Sequence, residues 1–281
     1  MHKEVDTDQA WLRVHQRLQS DGLIPREVKI VRMTQAPRRI LSWTAAIFAI
    51  MAVGTLSYFL VDNFNAPRLL TLETGTDNST FVQTLEDGSV VYVADNSVLS
   101  YPAIFSGDQR KVSLSGEAFF DIRSKSGQPF VIETNHALFE VIGTAFNLIS
   151  NDDDFELIVE EGIVKVALRN MPANYEIVGE WEMLTGLSNI MEKSPVVDRT
   201  YLSWRLDRMQ FRDERLGNIV SVISKNYNVN IDFENDVIRE RRMTVTFHNN
   251  AINTIVEVIA FTLDLDYEIL PDLSIMFRDK K

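Results

Sequence analysis

The chain has 281 residues, no cysteine and a formal net charge of −12 at pH 7. The absence of cysteine excludes disulfide bonds, thiolate metal sites and a cysteine nucleophile. The negative charge argues against DNA or RNA as a direct ligand, because affinity for phosphates comes mainly from Lys and Arg. With 45% hydrophobic residues, the chain is expected to bury a packed core.

Residues 1–39 form a short N-terminal tail for which the sequence predicts an amphipathic helix. A helix that begins near Thr7 would place Trp11, Val14 and Leu18 on one face. A segment of this length cannot build a core that covers such a face. We therefore expect the tail to dock into a groove of a partner protein. A helix lying on the membrane surface stays open as the alternative.

Residues 40–61 carry no charged side chain. At about 1.5 Å per residue, a helix of this length spans about 33 Å, which is enough to cross the bilayer core of about 30 Å. We predict one transmembrane helix rather than a buried core helix or a cleaved signal peptide. Arg38 and Arg39 precede it and Asp62 follows it, so the N-terminus is expected in the cytoplasm and the body in the periplasm.

The outer half of this predicted span contains Gly54, Thr55 and Ser57. These residues have lower helix propensity than the apolar residues around them. We interpret them as a weak point at which an intramembrane protease could begin cleavage. A single helix without ionisable residues offers neither a pore nor a proton relay, so the span is expected to join two binding surfaces in different compartments.

Residues 69 to about 168 show the two-residue period of β-strands, with turns marked by Gly, Asn or Asp, and the domain that contains them is predicted to span residues 62–200. The pattern predicts an all-β sandwich or jelly-roll-like domain. Gly143 is interpreted as a bulge or tight bend inside a strand. The predicted strands are 81–85, 90–94, 111–114, 118–122, 130–134, 139–141, 145–149, 155–160 and 164–168.

Five motifs in this region carry a resemblance to a known family. They are LEDGSVVYV from Leu85, SVLSYP from Ser97, VSLSGEAFFDI from Val112, PFVIET from Pro129 and VIGTAFN from Val141. In this order they resemble the periplasmic domain of FecR-family anti-sigma factors. The stretch 181–195 departs from the family pattern.

The same region contains no recognisable catalytic constellation. Glu117 and Asp121 would lie about 13 Å apart along a strand, too far for a glycosidase carboxylate pair. Asp152, Asp153 and Asp154 are consecutive and lack the glycine of a calcium loop, so they predict a solvated turn. We therefore expect no enzymatic activity, no metal and no cofactor.

Residues 201–281 predict a small α+β domain with an internal repeat. Apolar residues recur at an offset of 36 positions, and each copy reads as a β-α-β unit. The predicted elements are 209–211, 215–225 and 229–233 in the first copy, 243–247, 251–261 and 267–270 in the second, and a closing strand at 275–277. The module resembles the short N-terminal domain of secretins and TonB-dependent receptors, which the FecR family carries at its C-terminus.

This module has two open interpretations. It is either only a stable cap, or a small sheet whose edge accepts a strand from a partner. In the second case the predicted receptor-binding residues are Thr244, Val245, Thr246 and Phe247.

Together, the resemblances imply a single-pass inner-membrane regulator of transcription in cell-surface signalling. Its tail would bind an extracytoplasmic-function sigma factor through Trp11, Val14 and Leu18. Its periplasmic body would receive a signal from a TonB-dependent outer-membrane receptor. The alternatives are a bitopic envelope or secretion scaffold protein and a membrane-tethered hydrolase.

Overall fold

The computed structural model describes residues 7–23, 48, 50–55, 68–76, 80–152, 154–187 and 190–280. The chain divides into two compact units, Met1–Asn65 and Ala66–Lys281. In the first unit, helix α1 spans Thr7–Ser20 and residues 50–55 are helical.

The predicted membrane span at residues 40–61 lies largely outside the described residues. Among the helices that are described, none combines the length and the apolar character needed to cross a bilayer. The span therefore stays a prediction.

The first part of the second unit consists of thirteen β-strands. They form two layers of one continuous hydrogen-bonded sheet, which folds over at β5. One layer has the order β1-β4-β5-β6-β7-β10-β11, and the other has the order β13-β12-β9-β8-β5-β3-β2. The strands are β1 (Leu69–Glu73), β2 (Thr80–Thr84), β3 (Val90–Val93), β4 (Val98–Pro102), β5 (Arg110–Asp121), β6 (Phe130–Glu133), β7 (Ala137–Val141), β8 (Ala145–Ser150), β9 (Asp154–Glu161), β10 (Val164–Leu168), β11 (Met171–Val178), β12 (Glu182–Leu187) and β13 (Ile190–Pro195).

A single hydrophobic core lies between the two layers. In the central strands, such as β5, β7, β9 and β10, alternate residues point into it, as the two-residue period predicts. Aromatic rings fill its centre: Phe120 stacks on Phe146 and Phe139 meets Phe155 edge to face, each with 5.2 Å between ring centroids. The prediction of a β-rich domain is confirmed.

Strand β5 belongs to both layers. Its first half pairs with β4 and β6, and its second half, from Gly116, pairs with β3 and β8. Gly116 has a φ of 98°, and a Cβ at this position would lie 2.7 Å from the Cα of Ser97. The two strands predicted at 111–114 and 118–122 are therefore one strand that changes layer at a glycine.

The strand predictions were wrong in two further respects. The structure adds β1, β4, β11, β12 and β13, whose residues do not show a clear alternation of apolar and polar types. Gly143 lies in the turn between β7 and β8 rather than inside a strand. A Cβ there would lie 2.7 Å from the Cα of Ser124, so close backbone approach explains the glycine.

The C-terminal part of the second unit follows the predicted order of strand, helix and strand, twice. After a 3-10 turn at Arg199–Ser203, the elements are α2 (Trp204–Asp207), β14 (Met209–Arg215), α3 (Leu216–Tyr227), β15 (Ile231–Phe233), α4 (Asp236–Arg239), β16 (Arg242–Phe247), α5 (Ile252–Leu263), β17 (Leu265–Ile269) and β18 (Ile275–Asp279). Helices α3 and α5 both end at a left-handed residue, Asn228 and Asp264 respectively, each with a φ of 51°.

The repeats are not β-α-β units of one sheet, which corrects the prediction. The first strands of the two copies, β14 and β16, pair antiparallel with each other. The second strands, β15 and β17, lie in a separate three-stranded sheet with the order β15-β18-β17. Apolar residues of α3 and α5 form one core with residues of both sheets.

The C-terminal part is continuous with the sandwich. Strand β14 pairs in parallel with β2, where Met209 faces Thr80 and Gln210 faces Phe81. Sandwich residues Val82, Tyr92 and Phe119 belong to the same core as the helices. The domain boundary predicted between residues 200 and 201 thus falls within one compact unit, and it stays a prediction.

A buried ion pair lies at one end of the sandwich. The Arg110 side chain is fully buried and its Nη1 lies 2.6 Å from Oδ2 of Asp87, whose side chain is 2% exposed. The guanidinium also donates hydrogen bonds to the backbone carbonyl oxygens of Arg123, Gln128 and Ile142. Each nitrogen of the buried cation therefore has an acceptor, which offsets the cost of removing it from water.

We predict that Asp87→Asn destabilises the protein by about 3–5 kcal/mol, because it leaves the buried Arg110 cation without a counter-charge. Thermal unfolding of the full chain measures the effect. The control is Glu140→Gln, which breaks the partly exposed pair with Lys165 and should cost under about 1 kcal/mol. Equal shifts of the unfolding midpoint would contradict this account.

Candidate functional site

Helix α1 carries the predicted sigma-binding residues on its surface. Trp11, Val14 and Leu18 lie along one side of the helix, and no residue of α1 is buried. The Trp11 side chain is 67% exposed and its ring stacks on that of His15, with 6.5 Å between centroids. The structure thus brings the three predicted residues together as an exposed apolar stripe.

The charges on α1 are arranged asymmetrically. Arg17 lies beside Val14 on one flank of the stripe, whereas Arg13 lies on the side of the helix away from it. Asp8 lies in the first turn and Arg17 in the last, so both charges agree with the helix dipole. Leu12, which is also exposed, points away from the stripe. A groove that covers the stripe would therefore be apolar with acidic groups at one rim.

Strand β16 carries the predicted receptor-binding residues at the end of a sheet. It pairs with β14 on one side, and no other described strand pairs with its second side. Phe247 is only 1% exposed and its ring lies 6.2 Å from that of Phe211. Its side chain therefore belongs to the core, and only its backbone is placed to meet a partner. Val245 and Thr246 are half-buried and Thr244 is exposed.

Thr244 also supports the neighbouring strand. Its hydroxyl oxygen accepts a hydrogen bond of 2.9 Å from the backbone N–H of Asp213. Asp213 has a φ of 47° and lies where the register between β14 and β16 shifts. Arg242 pairs with the Asp213 carboxylate at 3.1 Å. These contacts hold a β-bulge in β14, on the paired side of β16, and the sequence pattern did not predict it.

A second cluster, which the sequence did not predict, joins the C-terminal part to the sandwich. The guanidinium of Arg205 lies 4.1 Å from the centroid of the Phe119 ring. Its Nη2 is 3.0 and 3.1 Å from the two carboxylate oxygens of Glu160. Both side chains of this ion pair are mostly buried. The cation is thus held by an aromatic face and a carboxylate together.

Two further contacts complete this junction. Lys225 Nζ on α3 lies 2.5 Å from the carboxylate of Asp121 on β5. Asn226 hydrogen-bonds with the hydroxyl of Tyr92 on β3. Burial, which disfavours the charged phenolate, raises the pKa of Tyr92 to about 12. The phenol therefore stays protonated at neutral pH and keeps this hydrogen bond.

The carboxylates considered in the sequence for catalysis make separate structural contacts. Glu117 accepts a hydrogen bond of 2.9 Å from the side-chain amide of Asn147, and burial raises its pKa. Asp121 binds Lys225 instead. At the aspartate turn, Asp154 accepts a hydrogen bond from the amide of Asn151. In the part of the chain that the structure describes, no three His, Asp or Glu side chains are placed to hold a metal ion.

Comparison with known proteins gives three results. No curated protein sequence matches this chain. Two crystal structures are similar, each of a candidate anti-sigma factor from Parabacteroides distasonis ATCC 8503. The first is 21% identical with a TM-score of 0.46 and covers 75% of this chain and 100% of its own. The second is 22% identical with a TM-score of 0.46 and covers 76% of this chain and 100% of its own.

The third result comes from family models. Residues 71–165 match the FecR protein family, and residues 208–274 match the FecR C-terminal family. The first match contains the sandwich strands from β2 to β9, and the second contains β14 to β17 and both helices of the repeat. Together the two matches cover more than half of the chain, which therefore belongs to the FecR family.

Proposed function

We propose that this protein is a single-pass anti-sigma regulator of the inner membrane. Its cytosolic tail binds an extracytoplasmic-function sigma factor, and its periplasmic body receives a signal from a TonB-dependent outer-membrane receptor. The observation that carries the proposal is the exposed stripe on α1. It lies in a compact unit separate from the one that contains both family matches.

The stripe has the chemistry of a protein-binding surface. Trp11 alone is 67% exposed, and Trp is among the residues that most often dominate binding energy at interfaces. Val14 and Leu18 extend the stripe by two turns, which is the spacing of anchors when a helix binds in a groove. Arg17, which lies beside Val14 on one flank of the stripe, favours a groove with an acidic residue at its rim.

We predict that Trp11→Ala weakens binding of the sigma factor about 30-fold or more, because loss of a Trp hot spot costs about 2 kcal/mol or more. Leu18→Ala should weaken it less but measurably. Leu12→Ala is the matched control, since Leu12 is exposed on the same helix outside the stripe. Calorimetric titration of the full chain with the purified sigma factor measures the dissociation constants.

An equal loss of affinity in Leu12→Ala and Trp11→Ala would contradict the role of the stripe. If the full chain fails to bind any sigma factor and purifies only with envelope proteins, the scaffold alternative replaces the proposal.

The proposed span at residues 40–61 rests on its uncharged sequence and on the arginines before it. In the described part of the segment, the hydroxyl of Thr55 donates hydrogen bonds to the backbone oxygens of Met51 and Ala52. This is how hydroxyl side chains are satisfied in apolar surroundings. Cleavage near Gly54 by an intramembrane protease is part of the same proposal.

We predict that a reporter active only in the cytosol works when it is fused after Arg39 and is silent when it is fused after Pro67. The reason is that the Lys and Arg excess before residue 40 keeps that end in the cytoplasm. Activity of both fusions would show that the segment does not span the membrane, and the reverse pattern would invert the orientation.

The free edge of β16 is the proposed contact for the receptor. Its unpaired backbone groups can accept a strand from a partner, and the half-buried side chains of Val245 and Thr246 flank that edge. The bulge held by Thr244 and Asp213 lies on the opposite side of β16 and leaves the edge open.

We predict that Thr246→Lys weakens binding of the receptor signalling domain about tenfold or more, because a lysine on an edge strand opposes strand addition. The control is Thr71→Lys on β1, another edge strand with an exposed threonine. Titration of both variants with the purified signalling domain gives the comparison. Equal affinities of the two variants would place the receptor contact elsewhere.

A further inference from the structure

One end of the sandwich carries an open cavity of about 500 Å³. It lies on the outer surface of the layer β8-β9-β12-β13. We name this surface the acidic apolar face. It is formed by Ile149, Asp154, Glu156, Leu187, Ile190 and Glu192.

The strand register places these side chains on the same surface. In one row Ile149 lies opposite Glu156, which lies opposite Thr185, which lies opposite Glu192. In the row beside it, Asp154, Leu187 and Ile190 occupy successive strands. Four strands at about 4.8 Å spacing make this surface about 14 Å wide. Acidic and apolar side chains are thus neighbours across the face.

The apolar members are open to solvent. Leu187 is 62% exposed and Ile190 is 66% exposed, and the register places the two side by side. Ile149, on β8 of the same face, is half-buried. Adjacent exposed apolar side chains with polar groups around them are typical of an interaction site.

In the described part of the chain, no basic side chain forms a salt bridge with the acidic residues of the face. None of Asp154, Glu156 and Glu192 takes part in a salt bridge there. Glu117 on the next strand faces Ile149 and adds a fourth carboxylate beside the face. The occupant that complements this surface is therefore positively charged.

Three classes of occupant are disfavoured by these observations. A membrane surface with anionic lipids and a nucleic acid would both be repelled by the carboxylates. A small ligand is usually enclosed by its pocket, whereas this cavity is open and the side chains of Leu187 and Ile190 project into solvent. A polypeptide can lie along an open surface and cover both residues.

The spacing of the carboxylates suits an extended polypeptide. Asp154 and Glu156 are two residues apart on β9, so they repeat at about 6.6 Å along the strand. Basic side chains at alternate positions of an extended segment repeat at the same distance. The side chains between them point to the other side of the segment, away from the face. Leu187 and Ile190, which lie in one row with Asp154 on the same face, are therefore placed to contact the apolar stems of the basic side chains.

We propose that the acidic apolar face docks an extended basic segment of a partner polypeptide, in which lysine or arginine occupies alternate positions. This surface is separate from α1 and from the edge of β16, so the proposal does not depend on either of those contacts.

The test uses the full chain in phosphatidylcholine nanodiscs and a fluorescein-labelled peptide of sequence Lys-Leu-Lys-Val-Lys-Leu. Fluorescence anisotropy, corrected with empty nanodiscs, should show saturable binding that weakens as salt shortens the Debye length. The double variant Glu156→Lys with Glu192→Lys should lose about tenfold or more in affinity, because it replaces attraction by repulsion.

The matched control is Glu86→Lys with Glu257→Lys, which has the same net charge and changes exposed residues far from the face in the fold. It should bind the peptide within about twofold of the unchanged protein. Leu187→Ser with Ile190→Ser should weaken binding about fivefold through loss of apolar contact. Thermal unfolding midpoints of all variants show that each of them is folded.

Three results would overturn the proposal. The first is equal loss of affinity in the control and in the Glu156 and Glu192 variant, which would indicate a diffuse charge effect. The second is equal binding of a peptide in which glutamate replaces every lysine. The third is displacement of the peptide by cadaverine at similar concentration, which would identify a site for small cations.

Discussion

The buried contact between Arg110 and Asp87 is the constraint on which the sandwich depends. Arg110 opens β5, the strand that both layers share, and its guanidinium reaches three separate loops. A buried cation is costly unless it is paired and hydrogen-bonded, so movement of any one of these loops would remove a partner of the Arg110 guanidinium. The end of the sandwich is thereby held in one arrangement, and β5 begins from a defined position.

The sheet and the side-chain contacts that hold β5 in place continue into the C-terminal part. Strand β14 continues the sheet at β2, while Arg205, Lys225 and Asn226 bind side chains of the sandwich. The residues matched by the two family models therefore share cores and hydrogen bonds within one compact unit. A contact made on β16 acts on a body that includes the sandwich, and no separate hinge between the two family regions is needed.

Local patterns predicted the elements whose side chains alternate clearly or repeat at helical spacing. The stripe on α1 and the order of the C-terminal repeat are examples. The change of layer at Gly116 could not be predicted, because it depends on the approach of Ser97. Neither could the contact of Lys225 with Asp121, which are 104 residues apart. Phe247 is of a residue type that is common at interfaces, but only the fold shows that its side chain packs against Phe211 in the core.

The pairing of β14 with β16 has a consequence for how the two copies of the repeat are arranged. Each copy of the repeat contributes its first strand to one sheet and its second strand to the other, so neither copy closes a core by itself. Antiparallel pairing of equivalent strands is the arrangement that a twofold axis produces between identical subunits. The two copies are thus related by an approximate twofold axis, and their helices and strands contribute to one shared core.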